Sequence, residues 1–234
     1  MNSHTASQTP VTVQVGTRLD DEALAERSAA FEPASATRIV RWAVDTFGDR
    51  LAIAASMTDA VLIDIAAKVA PGIEVLFIDT GYHFPETLAT VDAVRDRYDI
   101  RLRVLSVPPV DPPLWKDQPT CCSAAKVAQL DAGLAGRSAW FSGLRRTDAD
   151  TRAHAPIVSR DRRGLVKVNP LANWSDEDVA GYIAEHDVPV NPLVAQGYPS
   201  IGCAPCTSPV ADGEDPRAGR WRGLDKTECG IHDG

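Results

Sequence analysis

Apolar positions along this chain switch repeatedly between two periods. Residues 20–31 and 35–47 carry helical spacing, and in the second Ser35 is placed to cap a stripe of Ile39, Val40, Ala43, Val44 and Phe47. The next apolar run, 51–55, is short and unbroken, as a strand buried on both faces should be. It gives way at Ser56-Met57-Thr58-Asp59 to a helical stretch over 60–69. The alternation continues through a strand at 73–78, a helix at 85–98 with Pro85 in its first turn, a strand at 101–107, a helix at 123–134 and a strand at 138–142. Residues 166–168 read as a short extra strand, and 175–186 as a helix in which Ser175 and Asp178 have capping-box spacing. This order implies an α/β fold, a mostly parallel sheet with helices on both faces.

From Asp187 onward prolines recur, and beyond Thr207 only Val210, Trp221, Leu224 and Ile231 are substantial hydrophobes, too few for a separate core. The expected division is an N-terminal extension over 1–34, partly disordered or helical, an α/β unit over 35–206 and an irregular, mobile C-terminal tail over 207–234.

In an open parallel sheet, ligands bind beyond the carboxyl ends of the strands. That rule gathers Ser56, Thr58 and Asp59 after the first strand, Asp79-Thr80-Gly81 after the second and Gly143-Leu144-Arg145-Arg146 after the fourth. Helix-start amides and the hydroxyls of Ser56 and Thr58 suit an anion. Each motif alone reads more readily as a turn, a cap or a solvated charge pair. Their convergence favours an anionic nucleotide.

Composition narrows the class. A chain of 234 residues, 44% hydrophobic, can bury one substantial core, and a formal charge of −8 argues against a nucleic-acid partner. The first fifteen residues have neither a basic n-region nor an apolar run, and the best apolar stretch, 60–70, is interrupted by Asp64 and Lys68. No membrane partner and a cytoplasmic location are expected.

The cysteines point to chemistry. Four fall into two tight pairs, Cys121-Cys122 and Cys203-x-x-Cys206, the second in a Pro- and Gly-rich loop unsuited to a core element, and Cys229 stands alone near the C-terminus. Four thiolates match a [4Fe–4S] cluster or a structural zinc ion. Neighbouring side chains diverge along the backbone, so adjacent cysteines chelate one tetrahedral ion poorly but can reach different irons of a cube. The leftover Cys229, with His232 close behind, is a candidate nucleophile.

Five motifs in order carry a specific resemblance: Ile78-Asp79-Thr80-Gly81-Tyr82-His83-Phe84-Pro85-Glu86-Thr87, Cys121-Cys122-Ser123-Ala124-Ala125-Lys126, Cys203-Ala204-Pro205-Cys206, Gly219-Arg220-Trp221 and Glu228-Cys229-Gly230-Ile231-His232. From about Ser35 onward the chain resembles the assimilatory sulfonucleotide reductases, in the iron–sulfur branch that reduces adenosine 5′-phosphosulfate. The resemblance implies an adenine-nucleotide α-hydrolase-like fold with a modified pyrophosphate loop. Here that loop is 55–60, without the paired glycines of ATP-cleaving relatives. It further implies a [4Fe–4S] cluster on Cys121, Cys122, Cys203 and Cys206, attack by Cys229 on the substrate's sulfur, and release of sulfite by thioredoxin. Lys126, Arg145, Arg217 and Arg220 are the cations expected around the phosphosulfate, with His232 stabilising the thiolate or touching substrate. Ser56, Thr58, Asp59, Thr80 and Gly81 complete the expected substrate contacts.

The alternative within the family is reduction of the 3′-phosphorylated substrate, or of both. Outside it stand an ATP-dependent transferase on the same fold, which would need no Cys229, and a zinc-stabilised binding module, which would leave Cys229 and the strand-end motifs idle.

Overall fold

The structure, a computed structural model, describes residues 19–108 and 121–222, with 121–123 by backbone alone. Six strands form one sheet in the order β3-β2-β1-β4-β6-β5. They are β1 (Leu51–Ala55), β2 (Ile73–Asp79), β3 (Ile100–Ser106), β4 (Ala139–Ser142), β5 (Val158–Arg160) and β6 (Val166–Val168). All pairings are parallel except β5 with β6. The helices are α1 (Asp21–Ala30), α2 (Ala36–Phe47), α3 (Val61–Val69), α4 (Pro85–Arg97), α5 (Cys121–Leu134) and α6 (Asp176–His186).

Local chemistry explains most of these boundaries. Ser35 Oγ accepts from the Arg38 N–H at 3.3 Å and starts α2. The Ser175–Asp178 capping box forms as the spacing predicts. β1 buries Leu51, Ala52 and Ile53 completely, because it is central and both faces are covered. On one face Ile53, Val75, Phe77 and Phe141 meet α2, α3 and α4 in the main core. On the other, Ala52, Leu76, Ile78 and Trp140 meet Leu130 and Leu134 of α5.

The chain steps outward from β1 through β2 to β3, then crosses by α5 on the opposite face to β4, on the far side of β1. This reversal opens a crevice between β1 and β4 at their carboxyl ends.

Two segments go beyond the sequence reading. β5 is too short to show a period; it exists because a hairpin turn returns it onto β6 and α1 covers it. α1 precedes the boundary expected at residue 35, yet Leu24 and Phe31 belong to the main core, and Ser28 Oγ accepts from the Ile157 and Val158 N–H groups at 2.9 and 3.2 Å. The described part of the N-terminal extension is therefore integral to the α/β unit.

Candidate active site

The crevice holds a cavity of about 530 Å³ at the strand ends. Of the residues singled out above, Ser56, Thr58, Asp59, Lys126, Arg145, Arg217 and Arg220 all contribute to its walls.

The loop after β1 forms the first wall. Ser56 Oγ and Thr58 Oγ1 lie 3.5 Å apart, and Asp59 Oδ1 accepts from the Val61 N–H at 3.0 Å, where α3 begins. The segment after α6 clamps the loop through its backbone: Ala60 N–H donates to Pro189 O at 3.0 Å and Asn191 N–H to Thr58 O at 3.0 Å. Met57, fully buried, holds a left-handed φ of 62°. That conformation strains a residue with a Cβ, so the clamp and the burial together must offset it. Burial raises the Asp59 carboxyl above its ordinary pKa, and the Val61 N–H and the Arg145 charge only partly oppose this.

Arg145 is committed to carboxylates. Its guanidinium meets Asp148 at 3.0 Å and Asp176 at 2.7 Å, and Asp148 also takes Arg152 at 3.3 Å. Arg146 turns away from the crevice to Glu32. The cavity thus has an acidic end, at Asp59, Asp148 and Asp176, whose two arginines are already paired.

Further cations line the same cavity. Lys126 enters from α5, and Arg217 and Arg220 from the C-terminal segment. Both arginines lie against one ring, with their guanidinium carbons 5.6 and 4.5 Å from the Trp221 centroid. Arg220 also donates to Ser200 Oγ at 3.2 Å. Gly202 makes this possible, since a Cβ there would stand 2.7 Å from Arg220 Cζ. Trp221 N–H donates to Cys206 O at 3.0 Å, and Thr207 pairs with Arg220 as an isolated bridge. The tail through Arg222 is therefore anchored beside the cysteine turn.

Cys203 is buried and Cys206 half-buried, at the two ends of a single 3₁₀ turn over Ala204–Cys206. Thr80 Oγ1 lies 3.1 Å from Cys203 Sγ, and Ala204 N–H donates to Tyr82 O at 2.8 Å. Gly81, with φ 73°, gives its N–H to Asp79 Oδ1 at 2.8 Å. Thr80 and Gly81 thus sit under the cysteine turn and beside a smaller cavity with Tyr82 and Ser106, rather than in the main one. Cys121 and Cys122 open α5. Their side chains, like Cys229 and His232, lie outside the described residues, and among the described residues no three metal-ligating side chains converge.

His83, Trp221, Gly202 and Asn191 were given no role from the sequence. His83 lines the cavity with Nε2 2.9 Å from Ile78 O, and burial, assisted by the Lys126 charge, lowers its pKa. Trp221 stands out in the sequence as a large tail hydrophobe and as the neighbour of Arg220 in a motif, with nothing to show that it seats two arginines. Gly202 and Asn191 carry no local signal, because their importance lies in what folds against them.

The strand order β3-β2-β1-β4-β6-β5, with a cavity at its switch point, is that of an α/β protein of the adenine-nucleotide α-hydrolase-like class. Residues 50–209 match the phosphoadenosine phosphosulfate reductase domain, and the chain belongs to that family. It is 52% identical to the adenosine 5′-phosphosulfate reductase of Mycobacterium tuberculosis, over 89% of this chain and 93% of that one. With the enzyme of the same name from Streptomyces coelicolor the identity is 50%, over 90% and 94%. Among solved structures, phosphoadenylyl-sulfate reductase from Candida auris superposes with a TM-score of 0.69 at 28% identity, over 80% of this chain and 96% of that one. FMN adenylyltransferase from Candida glabrata, at 13% identity and a TM-score of 0.56 over 81% of this chain and 66% of that one, shares the fold alone.

Proposed function

We propose that the protein is an oxidoreductase of sulfate assimilation that reduces adenosine 5′-phosphosulfate to sulfite and AMP. The observation that carries this reading is the meeting of Lys126, Arg217 and Arg220 in one nucleotide-sized cavity, next to the turn that bears Cys203 and Cys206. Kinship at about half identity to reductases of that name, along nearly their whole length, supports the substrate.

In this reading the three cations neutralise the phosphosulfate, so that a thiolate can approach an otherwise repulsive dianion. Cys229 attacks the sulfur, the bond from sulfur to the phosphate oxygen breaks, and AMP leaves with the electron pair. The product is a thiosulfonate on Cys229. A dithiol of the thioredoxin type then attacks the Cys229 sulfur, sulfite departs with the bonding pair to leave a mixed disulfide, and the second thiol closes a disulfide on the reductant, releasing Cys229 as its thiolate. His232 follows Cys229 by three residues and is assigned to the thiolate or the substrate.

The chemistry of the donor set fits a [4Fe–4S] cluster: two thiols on one turn, one buried and one half-buried, and a tandem pair opening a helix that also carries Lys126. Cys121, Cys122, Cys203 and Cys206 would hold it. When bound, it supplies an ordered anchor and a fixed electrostatic centre for the loops around it. A reduced cytoplasmic compartment suits both the thiols and the dithiol partner. No described helix is long and apolar enough to cross a membrane.

The test is direct. Anaerobically purified protein should contain iron and sulfide and release sulfite from adenosine 5′-phosphosulfate when given thioredoxin; zinc without turnover would overturn the reading. Cys229→Ser should bind nucleotide and keep its iron yet not turn over. Without reductant, wild-type protein should gain one sulfonate on the peptide containing Cys229, and its appearance on another cysteine would refute this mechanism.

A further inference from the structure

α5 carries Lys126 into the cavity, and it is the helix that covers the second face of the sheet. Its apolar attachment lies in its C-terminal half. Among the described residues Leu130, Gly133 and Leu134 are buried there, and a Cβ on Gly133 would stand 2.5 Å from Leu105 Cδ1, so the helix rests directly on β2 and β3. Lys126 is a full turn ahead of that contact.

One polar grip holds the same half of the helix. Asp131 accepts from Arg162 Nη2 at 2.9 and 3.1 Å and from Arg163 Nε, both at the tip of the β5–β6 hairpin. The two arginines hold its carboxyl below the ordinary pKa although burial opposes them. Among the described residues no other α5 side chain makes a hydrogen bond or ion pair to another element.

The hairpin end of this grip is rigid. Arg163 Nη1 donates to Asp161 Oδ2 at 2.9 Å, and Asp161, buried, accepts the Arg163 and Leu165 N–H groups at 2.9 and 3.0 Å. The same carboxylate accepts Trp140 Nε1 at 3.0 Å. Trp140 belongs to β4, is 1% exposed and lines the cavity. A continuous chain of contacts therefore runs from the cavity wall at Trp140 through Asp161 and Arg163 to Asp131. From there α5 leads back to Lys126 at the same cavity.

We propose that Asp131, gripped by Arg162 and Arg163, is a positioning residue that sets the placement of α5 and thereby of Lys126 over the substrate. The inference rests on the reductase reading for its kinetic consequence. Its structural consequence stands apart, because the grip acts on the helix whether or not substrate is present. An ordinary surface ion pair would stabilise little and position nothing. This one differs because its far end, at Asp161, is buried and hydrogen-bonded to Trp140 in the cavity wall.

The experiment uses full-length protein with its metal and compares Asp131→Asn with Asp131→Glu. Hydrogen exchange in the peptide covering 121–134 should quicken in Asp131→Asn while peptides from α2, α3 and β1 keep their protection. Asp131→Glu, which retains the carboxylate, should restore most of it. For adenosine 5′-phosphosulfate reduction, kcat should fall on the order of tenfold to a hundredfold in Asp131→Asn, with iron content and Tm close to wild type, and Asp131→Glu should recover it. Unchanged protection of 121–134 overturns the proposal whatever the activity. A kcat loss that only follows lost iron or lowered Tm overturns it too, as does equal damage in both variants. If wild-type protein itself reduces no substrate, the function reading fails, and the exchange result still decides the proposal.

Discussion

The loop after β1 and the segment from Ser200 to Trp221 line the same cavity but are held by different kinds of contact. The first grows out of a central strand whose Leu51, Ala52 and Ile53 are buried, and α3 and the backbone of 189–191 hold it from both sides. The second has no core of its own. It keeps its place through a ring stacked under two guanidinium groups, a glycine that leaves room for one of them, and backbone bonds to the cysteine turn. Damage to the first should therefore register as lost stability, and damage to the second as lost chemistry in a protein that still folds.

The largest effect should come from the sheet side. Ile53, wholly buried on β1, should cost about 3 kcal/mol in denaturant unfolding when changed to Ala, because the close-packed core collapses only partly around the gap. A cost below about 1 kcal/mol would mean that the β1 side is not the rigid half. On the cationic side, Lys126→Ala should lower kcat/KM roughly a hundredfold, close to 3 kcal/mol of transition-state stabilisation, with unchanged unfolding and iron content. A near-normal rate would place Lys126 on an ordinary solvated face.

Gly202→Ala tests the tail more finely. The added methyl meets the far end of the flexible Arg220 side chain, so the fold should absorb it while Arg220 shifts. A fall of about tenfold in kcat/KM with little change in Tm is expected. Equal losses of stability and activity would erase the contrast between the two walls.

The smallest effect concerns pH. Asp59 has its pKa raised above the ordinary 3.8 by burial, so the folded state resists its ionisation. Any advantage the wild type holds over Asp59→Asn is present below 3.8 and is lost as pH rises through the folded pKa. The Tm of Asp59→Asn should therefore gain on wild type as pH rises above 3.8. A difference that stays constant with pH would show that Asp59 ionises in the fold as readily as in water.

Strand and helix periods placed nearly every element of the sheet within a residue or two, because burial on a sheet face or a helix stripe imposes a local repeat that neighbouring residues record. β5 escaped, since three residues carry no period and its partner is supplied by a hairpin and α1. At the site, motifs brought out the cysteines, Lys126, Arg217 and Arg220, where chemistry restricts the residue type. Arg145 read from its strand end as a substrate cation, but Asp148 and Asp176 already hold its charge in the fold. Nothing local to Arg145 announces Asp176, thirty-one residues away in the chain.

By itself, then, the amino-acid order determined the alternation of strands and helices, the direction of the sheet, the strand ends at which a cavity opens and the residue types able to do sulfur chemistry. Each of these depends on spacing or on side-chain chemistry that survives in one dimension. Only the tertiary structure decided which charges face the cavity and which are spent on each other, that Trp221 and Gly202 seat Arg220, and that a hairpin grips α5 at Asp131. Those outcomes turn on distances of a few ångströms between segments far apart in the chain, and charge pairing and packing fall off too steeply with distance for linear order to foretell them.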